Sequence, residues 1–227
     1  MKYIITKKFL SSVERTPRVL ELAEGFGLGL SDKEFVIYDG TEIQLDPGQV
    51  LYITGQSGSG KSLLLKEIAC QARDAGFSVA DLNEFDLPER PVIELIGKTT
   101  ADAADLLAKA GISDAWIYIR KPSELSDGQR YRLKLAMLIE MNTDVWVADE
   151  FGAVLDRVTA KVIAFNLQKV ARKLGKTLIV ATTHTDLKDE LAPDVTVIKR
   201  FRERVEIEGG NPIEIEDSEP VRRPKKE

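Results

Sequence analysis

The sequence predicts an α/β fold built on a largely parallel sheet, and three observations predict it. Continuously apolar, strand-like stretches alternate with helix-like ones after residue 35, as in sheets buried on both faces. A glycine-rich loop, Gly55 to Gly60, stands between an apolar strand and a helix. A second apolar strand, 145–148, ends in Asp149 and Glu150, and in a parallel sheet strand C-termini face the ligand crevice. At 43% hydrophobic and 30% charged, the 227 residues suffice for one ordinary domain with a sizeable core.

The elements follow in order. Residues 35–38 and 42–45 read as short strands of an N-terminal antiparallel β-subdomain, joined by Asp39-Gly40, a hairpin signal. Asp46-Pro47-Gly48 is a turn, 50–54 a compact strand, and 61–75 a helix after the glycine loop. Residues 77–82 read as a strand. Residues 100–110 read as a helix, with Asp102 and Asp105 near its positive end. Residues 128–141 form a second clear helix, 145–148 a buried strand, and 160–174 a helix closed by Gly175. Residues 177–182 are a further apolar strand, and 195–201 with 205–208 a final hairpin. The folded domain is expected to end at 208. Residues 209–227, with three prolines and many charges, are expected to be a flexible tail.

Several classes are excluded. Cys70 is the sole cysteine, so no internal disulfide forms. The longest apolar runs are five residues, 115–119 and 135–139, against roughly 20 for a membrane helix. Lys7 and Lys8 interrupt the start where a signal peptide stays apolar. These features lead us to expect a cytoplasmic protein that does not insert in membranes. A net charge of −5 argues against coating nucleic acid by charge alone. The basic clusters Lys199, Arg200, Arg202, Arg204 and Arg222, Arg223, Lys225, Lys226 keep a nucleotide-gated, nucleic-acid-associated module as a third reading.

The chemistry concentrates in three motifs. Gly55-Gln56-Ser57-Gly58-Ser59-Gly60-Lys61-Ser62, followed by Leu63, fits G-x-x-x-x-G-K-[ST] at every fixed position. Glycines let successive N–H groups converge on one anion, and the helix N-terminus adds a positive dipole end. Lys61 would reach the β- and γ-phosphates of ATP, and Ser62 would ligate Mg²⁺. Asp149 would hold the Mg²⁺ water shell, and Glu150 would orient or deprotonate the attacking water. Leu125-Ser126-Asp127-Gly128-Gln129 opens a helix. Its serine is an ordinary N-cap, and an exposed Ser-x-Gly at a helix N-terminus also suits a γ-phosphate.

Taken together, GQSGSGKS, LSDGQ, VWVADE, FGAVLD and TTHTD, in that order, make the chain resemble the ATP-binding-cassette (ABC) ATPases over about residues 20–200. The resemblance implies a phosphate-loop NTPase with a parallel core sheet, an N-terminal antiparallel β-subdomain and a reduced helical subdomain around 84–140. It assigns Ser126, Gly128 and Gln129 to the signature, Glu150 to the catalytic base, Asp156 to the dimer contact and His184 to the switch histidine. It implies an ATP-dependent, head-to-tail homodimer. Phe26 is the first candidate to stack on adenine and Phe35 the second. The γ-phosphate-sensing glutamine is missing after 77–82. Asn83 is the nearest equivalent and would reach the metal; Asp81 and Glu84 are the alternatives. Asp127 replaces a usual glycine, and Phe151-Gly152 a usual Pro-Thr. The shortened span between Lys61 and Ser126 weakens the reading as a transporter's ATP-binding subunit. The segments RVLELAEGFGLGL, QRYRLKLA and NLQKVARKLGKTLIVATTH look closer to stand-alone or acetyltransferase-linked soluble ABC ATPases. That resemblance implies a separate acetyltransferase, or another protein, as partner.

Overall fold

A computed structural model describes residues 1–200 and 205–209. The chain opens with β1 (Lys2–Ser11) and α1 (Pro17–Phe26), then β2 (Lys33–Gln44), which pairs antiparallel with β1 as a two-stranded sheet. Next come β3 (Val50–Gly55), α2 (Lys61–Asp74) and β4 (Val79–Asp81). A helical segment holds α3 (Thr100–Lys109), the short α4 (Ala115–Tyr118) and α5 (Asp127–Met141). The chain returns through β5 (Val145–Ala148), α6 (Arg157–Lys173), β6 (Thr177–Thr182), α7 (Lys188–Leu191), β7 (Val195–Lys199) and β8 (Val205–Gly209).

The main sheet has six strands in the order β4-β5-β6-β3-β7-β8. All its pairings are parallel except β7 with β8. The side-chain period of two sends alternate residues of each central strand to opposite faces. Val50 and Tyr52 of β3, Trp146 and Ala148 of β5, and Leu178 and Val180 of β6 face α3, α5 and α6. Leu51, Ile53, Val145, Val147, Ile179 and Ala181 face α2 and the small sheet, through Tyr3, Ile5, Tyr38, Ile43 and Leu45. Side chains set the helix starts. Thr16, Thr99, Ser126 and Asp156 each accept a backbone N–H of the first turn of α1, α3, α5 and α6.

Three expectations are corrected. Asp39-Gly40 is not a hairpin turn, because β2 runs through it unbroken and its partner is β1. The pairing slips between Ile5 and Lys8, and the Gly40 N–H donates to Thr6 Oγ1 at 3.0 Å, so the glycine marks a bulge. The strand expected at 77–82 is only Val79–Asp81, since Phe77 N–H still closes the end of α2 on the Ala72 carbonyl and Leu82 enters a 3-10 turn. The helix expected from 160 begins at Arg157, where Asp156 caps it. The final hairpin is present as β7 and β8. Gly209, assigned to the tail, closes β8. The rest of the tail, Arg202, Arg204 and the basic cluster at 222–226 lie outside the described residues. Among the described residues no helix is long and apolar enough to cross a membrane.

Burial divides neighbouring isoleucines of β1: Ile5 is wholly buried and Ile4 is 52% exposed. Ile5→Ala is expected to lower the unfolding free energy by about 2–5 kcal/mol, and Ile4→Ala to change it by less than ~0.5 kcal/mol. Urea unfolding followed by circular dichroism checks both. Equal effects would mean that β1 does not pack in this register.

Candidate functional site

The phosphate loop begins where β3 leaves the sheet. Gly55 has φ of 141°, and a Cβ there would lie 1.9 Å from the Lys199 carbonyl oxygen of β7, so only glycine fits. Gly60, with φ of 102°, turns the loop into α2; a Cβ would lie 2.9 Å from Ile37 Cγ2. The small sheet thus lies over the loop. Tyr38 fixes it there, donating its hydroxyl to the Gly60 carbonyl at 3.0 Å. Burial raises the Tyr38 phenol well above its ordinary pKa, so it stays a donor.

Lys61, the first residue of α2, is only 8% exposed, and its ammonium donates to the Gln56 carbonyl at 2.7 Å. Burial lowers its pKa, while Asp149 and Glu150 act in the opposite sense. Ser59 Oγ is buried without a hydrogen-bond partner among the described residues. An unspent hydroxyl and an ammonium with donors to spare, at a helix N-terminus, are suited to an anion.

The facing wall comes from the ends of β5 and β6. Ser57, Gly58, Gly60, Lys61, Ser62 and Leu63 line one side of a cleft of about 540 Å³. Asp149, Glu150, Ala153, Thr182 and Thr183 line the other. Glu150 takes φ of 50°, uncommon for a residue other than glycine. Its neighbours hold it there. Its own N–H donates to Asp149 Oδ1 at 2.9 Å, the Phe151 N–H to the Ala181 carbonyl at 2.9 Å, and the Gly152 N–H to the Tyr131 hydroxyl at 3.1 Å. Phe151 is fully buried and meets the Tyr131 ring edge-on at 6.2 Å. The Phe151 ring and the Gly152 N–H thus tie this loop to Tyr131 of α5.

His184 follows β6 and does not line the cleft. Its Nδ1 lies 2.5 Å from Arg157 Nη1, and its carbonyl accepts the Tyr52 hydroxyl. A guanidinium only donates, so Nδ1 accepts and the ring proton sits on Nε2. Arg157 is also paired with Asp186. Asp156 caps α6; the Thr159 side chain and amide hold its carboxyl below the usual range.

Other expected site residues stand apart. Ser126 and Gln129 form a reciprocal capping box, with Gln129 N–H on Ser126 Oγ at 3.3 Å and Ser126 N–H on Gln129 Oε1 at 2.9 Å. A Cβ on Gly128 would meet Leu155 Cδ2 at 3.3 Å, so the signature abuts the loop before Asp156 without entering the cleft. Asn83 lies in the 3-10 turn after β4, its N–H on Asp81 Oδ1 at 2.9 Å, and is not in the cleft wall. Asp81 feels the Asp149 charge, although burial is the main cause of its raised pKa. Phe26 is 74% exposed at the end of α1, and the cleft wall does not include it. Phe35 pairs with Phe9 across the small sheet, two residues before Ile37, whose Cγ2 faces Gly60 of the loop. Sequence reasoning missed Tyr38, Thr183, Tyr131 and Arg157. Only Thr183, between the last core strand and the lone histidine, had a signal in the sequence.

Residues 38–153, about half of the chain, match the ABC transporter family. The methionine import ATP-binding protein MetN of Clostridioides difficile (strain 630) is 30% identical over 215 residues, covering 79% of this chain and 63% of that protein. The aliphatic sulfonates import ATP-binding protein SsuB 2 of Rhodococcus jostii (strain RHA1) is 32% identical over 203 residues, covering 81% and 78%. This chain thus spans less than two thirds of the methionine relative's length. A dimeric post-hydrolysis state of the ATP-binding cassette MJ0796, bound to ADP and Pi, superposes with a TM-score of 0.65 over 91% of this chain and 98% of that one. At 19% identity the likeness is one of fold.

The lowered Lys61 pKa has a consequence for stability. The folded chain binds this proton more weakly than the unfolded chain, which penalises folding at neutral pH; the penalty fades as pH climbs from the lowered value toward 10.5. Lys61→Met is therefore expected to raise the Tm of the nucleotide-free protein at pH 7.5. The gain should shrink by pH 10, as read by paired thermal melts. A gain that is constant with pH, or a loss, would contradict this.

Proposed function

The chain belongs to the ABC transporter family and is an ATP-binding-cassette ATPase domain, and from that premise we propose that it hydrolyses Mg-ATP in a head-to-tail homodimer. The observation carrying this reading is that Lys61, Ser62, Asp149 and Glu150 share one cleft at the C-terminal edge of the sheet. The N–H groups of Gly58 and Gly60 receive the phosphates, and the Ser59 N–H and Lys61 ammonium exchange the Gln56 carbonyl for phosphate oxygens. Ser62 and Asp149, oxygen donors on opposite walls, suit a hard divalent cation and would hold Mg²⁺. When bound, that ion would neutralise charge developing on the phosphates. Glu150 orients a water in line with the γ-phosphorus and takes its proton as the new P–O bond forms and the bond to ADP breaks. His184, oriented by Arg157, holds the γ-phosphate side through Nε2–H. Ser126, Gly128 and Gln129 complete the site of a second copy, with Asp156 at the contact between them. Asn83, which lies outside the cleft wall in a single chain, would stand in for the sensing glutamine at the metal only when the two copies close. Phe35, on the same strand as the loop-facing Ile37, is the aromatic we assign to the adenine, ahead of the first candidate Phe26, which is exposed at the end of α1.

We take the ATPase domain to run to Gly209, the last residue of β8, one residue past the expected boundary at 208, with 84–140 as its helical subdomain. We assign it to the stand-alone, cytoplasmic branch, acting with a separate protein such as an acetyltransferase, on the segments quoted above and the short helical subdomain. The second reading, the ATP-binding subunit of a membrane transporter, is favoured by the import roles in the names of the relatives. Recovery of the native protein with membranes rather than cytosol would select it.

Glu150→Gln keeps shape and hydrogen bonding but loses the base. Hydrolysis is expected to fall at least 100-fold while ATP still binds and dimers accumulate, by phosphate release, calorimetry and light scattering. Wild-type turnover in this variant would remove Glu150 as the base. The shared site has its own test. Lys61→Ala and Ser126→Arg should each be inactive alone, and a mixture should recover at most about a quarter of wild-type activity, because half the dimers then hold one intact site. A folded, fully active Ser126→Arg protein would end the composite-site reading.

A further inference from the structure

A second cavity, of about 570 Å³, opens beside the signature and has no role in the reading above. Gln129 and Glu124 border it on the signature side, and Asp114, Trp116, Ile117 and Arg120 on the side of α4. Trp116 is 70% exposed, although indole is among the costliest side chains to leave in water. Nothing about α4 makes the exposure accidental. Asp114 caps the helix by accepting the Trp116 N–H at 2.9 Å, and Ile117 anchors it in the core. The Tyr118 hydroxyl donates to the Ile112 carbonyl at 3.1 Å, and the Val92 N–H to the Arg120 carbonyl at 2.9 Å. The indole stands on a fixed turn at the mouth of a polar cavity.

We propose that Trp116 is a nucleotide-positioning residue acting across the dimer, stacking on the adenine of the ATP bound by the partner copy while the carboxylates beside it meet the ribose hydroxyls. The proposal rests on the composite site described above. With Ser126 against the γ-phosphate of the partner's ATP, the rest of that nucleotide extends away from the signature, and this cavity begins at the capping partner of Ser126. Its chemistry matches a nucleoside: one aromatic face for a base, and acceptors for a diol. The acceptors are partly spare, since among the described residues Glu124 takes only the Lys121 N–H (2.8 Å) on Oε2 and Asp114 only the Trp116 N–H on Oδ1. Neither Phe26 nor Phe35 lines the cleft of one chain, so even with Phe35 against one face of the adenine the other face is left for Trp116 of the second copy.

Trp116 also reports on itself, because the other tryptophan, Trp146, is wholly buried under the core. In the Glu150→Gln protein, the emission lost on replacing Trp116 by Phe isolates the Trp116 signal. ATP is expected to quench that signal in proportion to the dimer fraction seen by light scattering. It should leave it unchanged in Ser126→Arg, which binds ATP but does not close. In the otherwise wild-type chain, Trp116→Ala is expected to raise KM for ATP about tenfold with kcat within twofold, the loss of one base–aromatic stack. Trp116→Phe should restore most of it. Dimers that form with ATP while the Trp116 signal and KM stay unmoved would overturn the proposal and leave the composite site standing. Quenching that persists in monomeric Ser126→Arg would overturn action across the dimer. Failure of Glu150→Gln to dimerise at all would remove both the proposal and the reading beneath it.

Discussion

The site depends on where β3 sits. It is hydrogen-bonded on both edges by parallel strands, β6 and β7, and buried along its length, so its C-terminal end is fixed to within the tolerance of a packed core. Gly55 ends the strand so close to the Lys199 main chain that a side chain would overlap it. The loop therefore leaves the sheet in one direction. β5 and β6, parallel to β3, deliver Asp149, Glu150, Thr182 and Thr183 to the same edge. Without a parallel arrangement these groups would point to opposite ends of the sheet.

The two faces of the sheet then serve different ends. On one face, α2 and the small sheet stabilise the phosphate loop, with Tyr38 joining them through the Gly60 carbonyl. On the other, α5 packs over β5, and Tyr131 reaches past it to the backbone after Glu150. One buried hydroxyl thereby links α5, which opens at Ser126, to the loop that carries Glu150. The positive φ of Glu150 persists because hydrogen bonds from the next two residues, to Ala181 and Tyr131, over-determine it.

Much of this was legible in the sequence. The apolar runs at 50–54, 145–148 and 177–182 became central strands, because a strand buried on both faces has no polar side to blur its pattern. The phosphate loop was legible because its glycines answer to backbone geometry. β1 was not recognised: in KYIITKKFLS only Tyr3 and Ile5 are buried, and the two lysines that argue against a signal peptide also mask the alternation. The Asp39-Gly40 bulge was misread because a bulge and a hairpin turn draw on the same residue types. α1 was missed for a related reason, since it buries only Ala23. Tyr38, Tyr131 and Arg157 act through partners distant in sequence, such as Gly60 and Gly152, which no local pattern reveals.

The asymmetry between the two cavities bears on the proposed pairing of two copies. The cleft holding Lys61, Ser62, Asp149 and Glu150 is assembled wholly from strand ends and the loop, within one chain. The signature is equally well ordered, with Ser126 and Gln129 satisfying one another, yet it faces a separate cavity and contributes nothing to that cleft. A capping box explains why Ser and Gln stand at those positions. It does not explain an exposed tryptophan beside them, nor a polar cavity as large as the cleft itself. A surface rigid in its backbone, furnished with spare acceptors and left open is what a second binding wall requires before its ligand arrives, since preorganisation lowers the entropy lost on closure. In the proposed dimer, the ligand it would receive is held by the other copy.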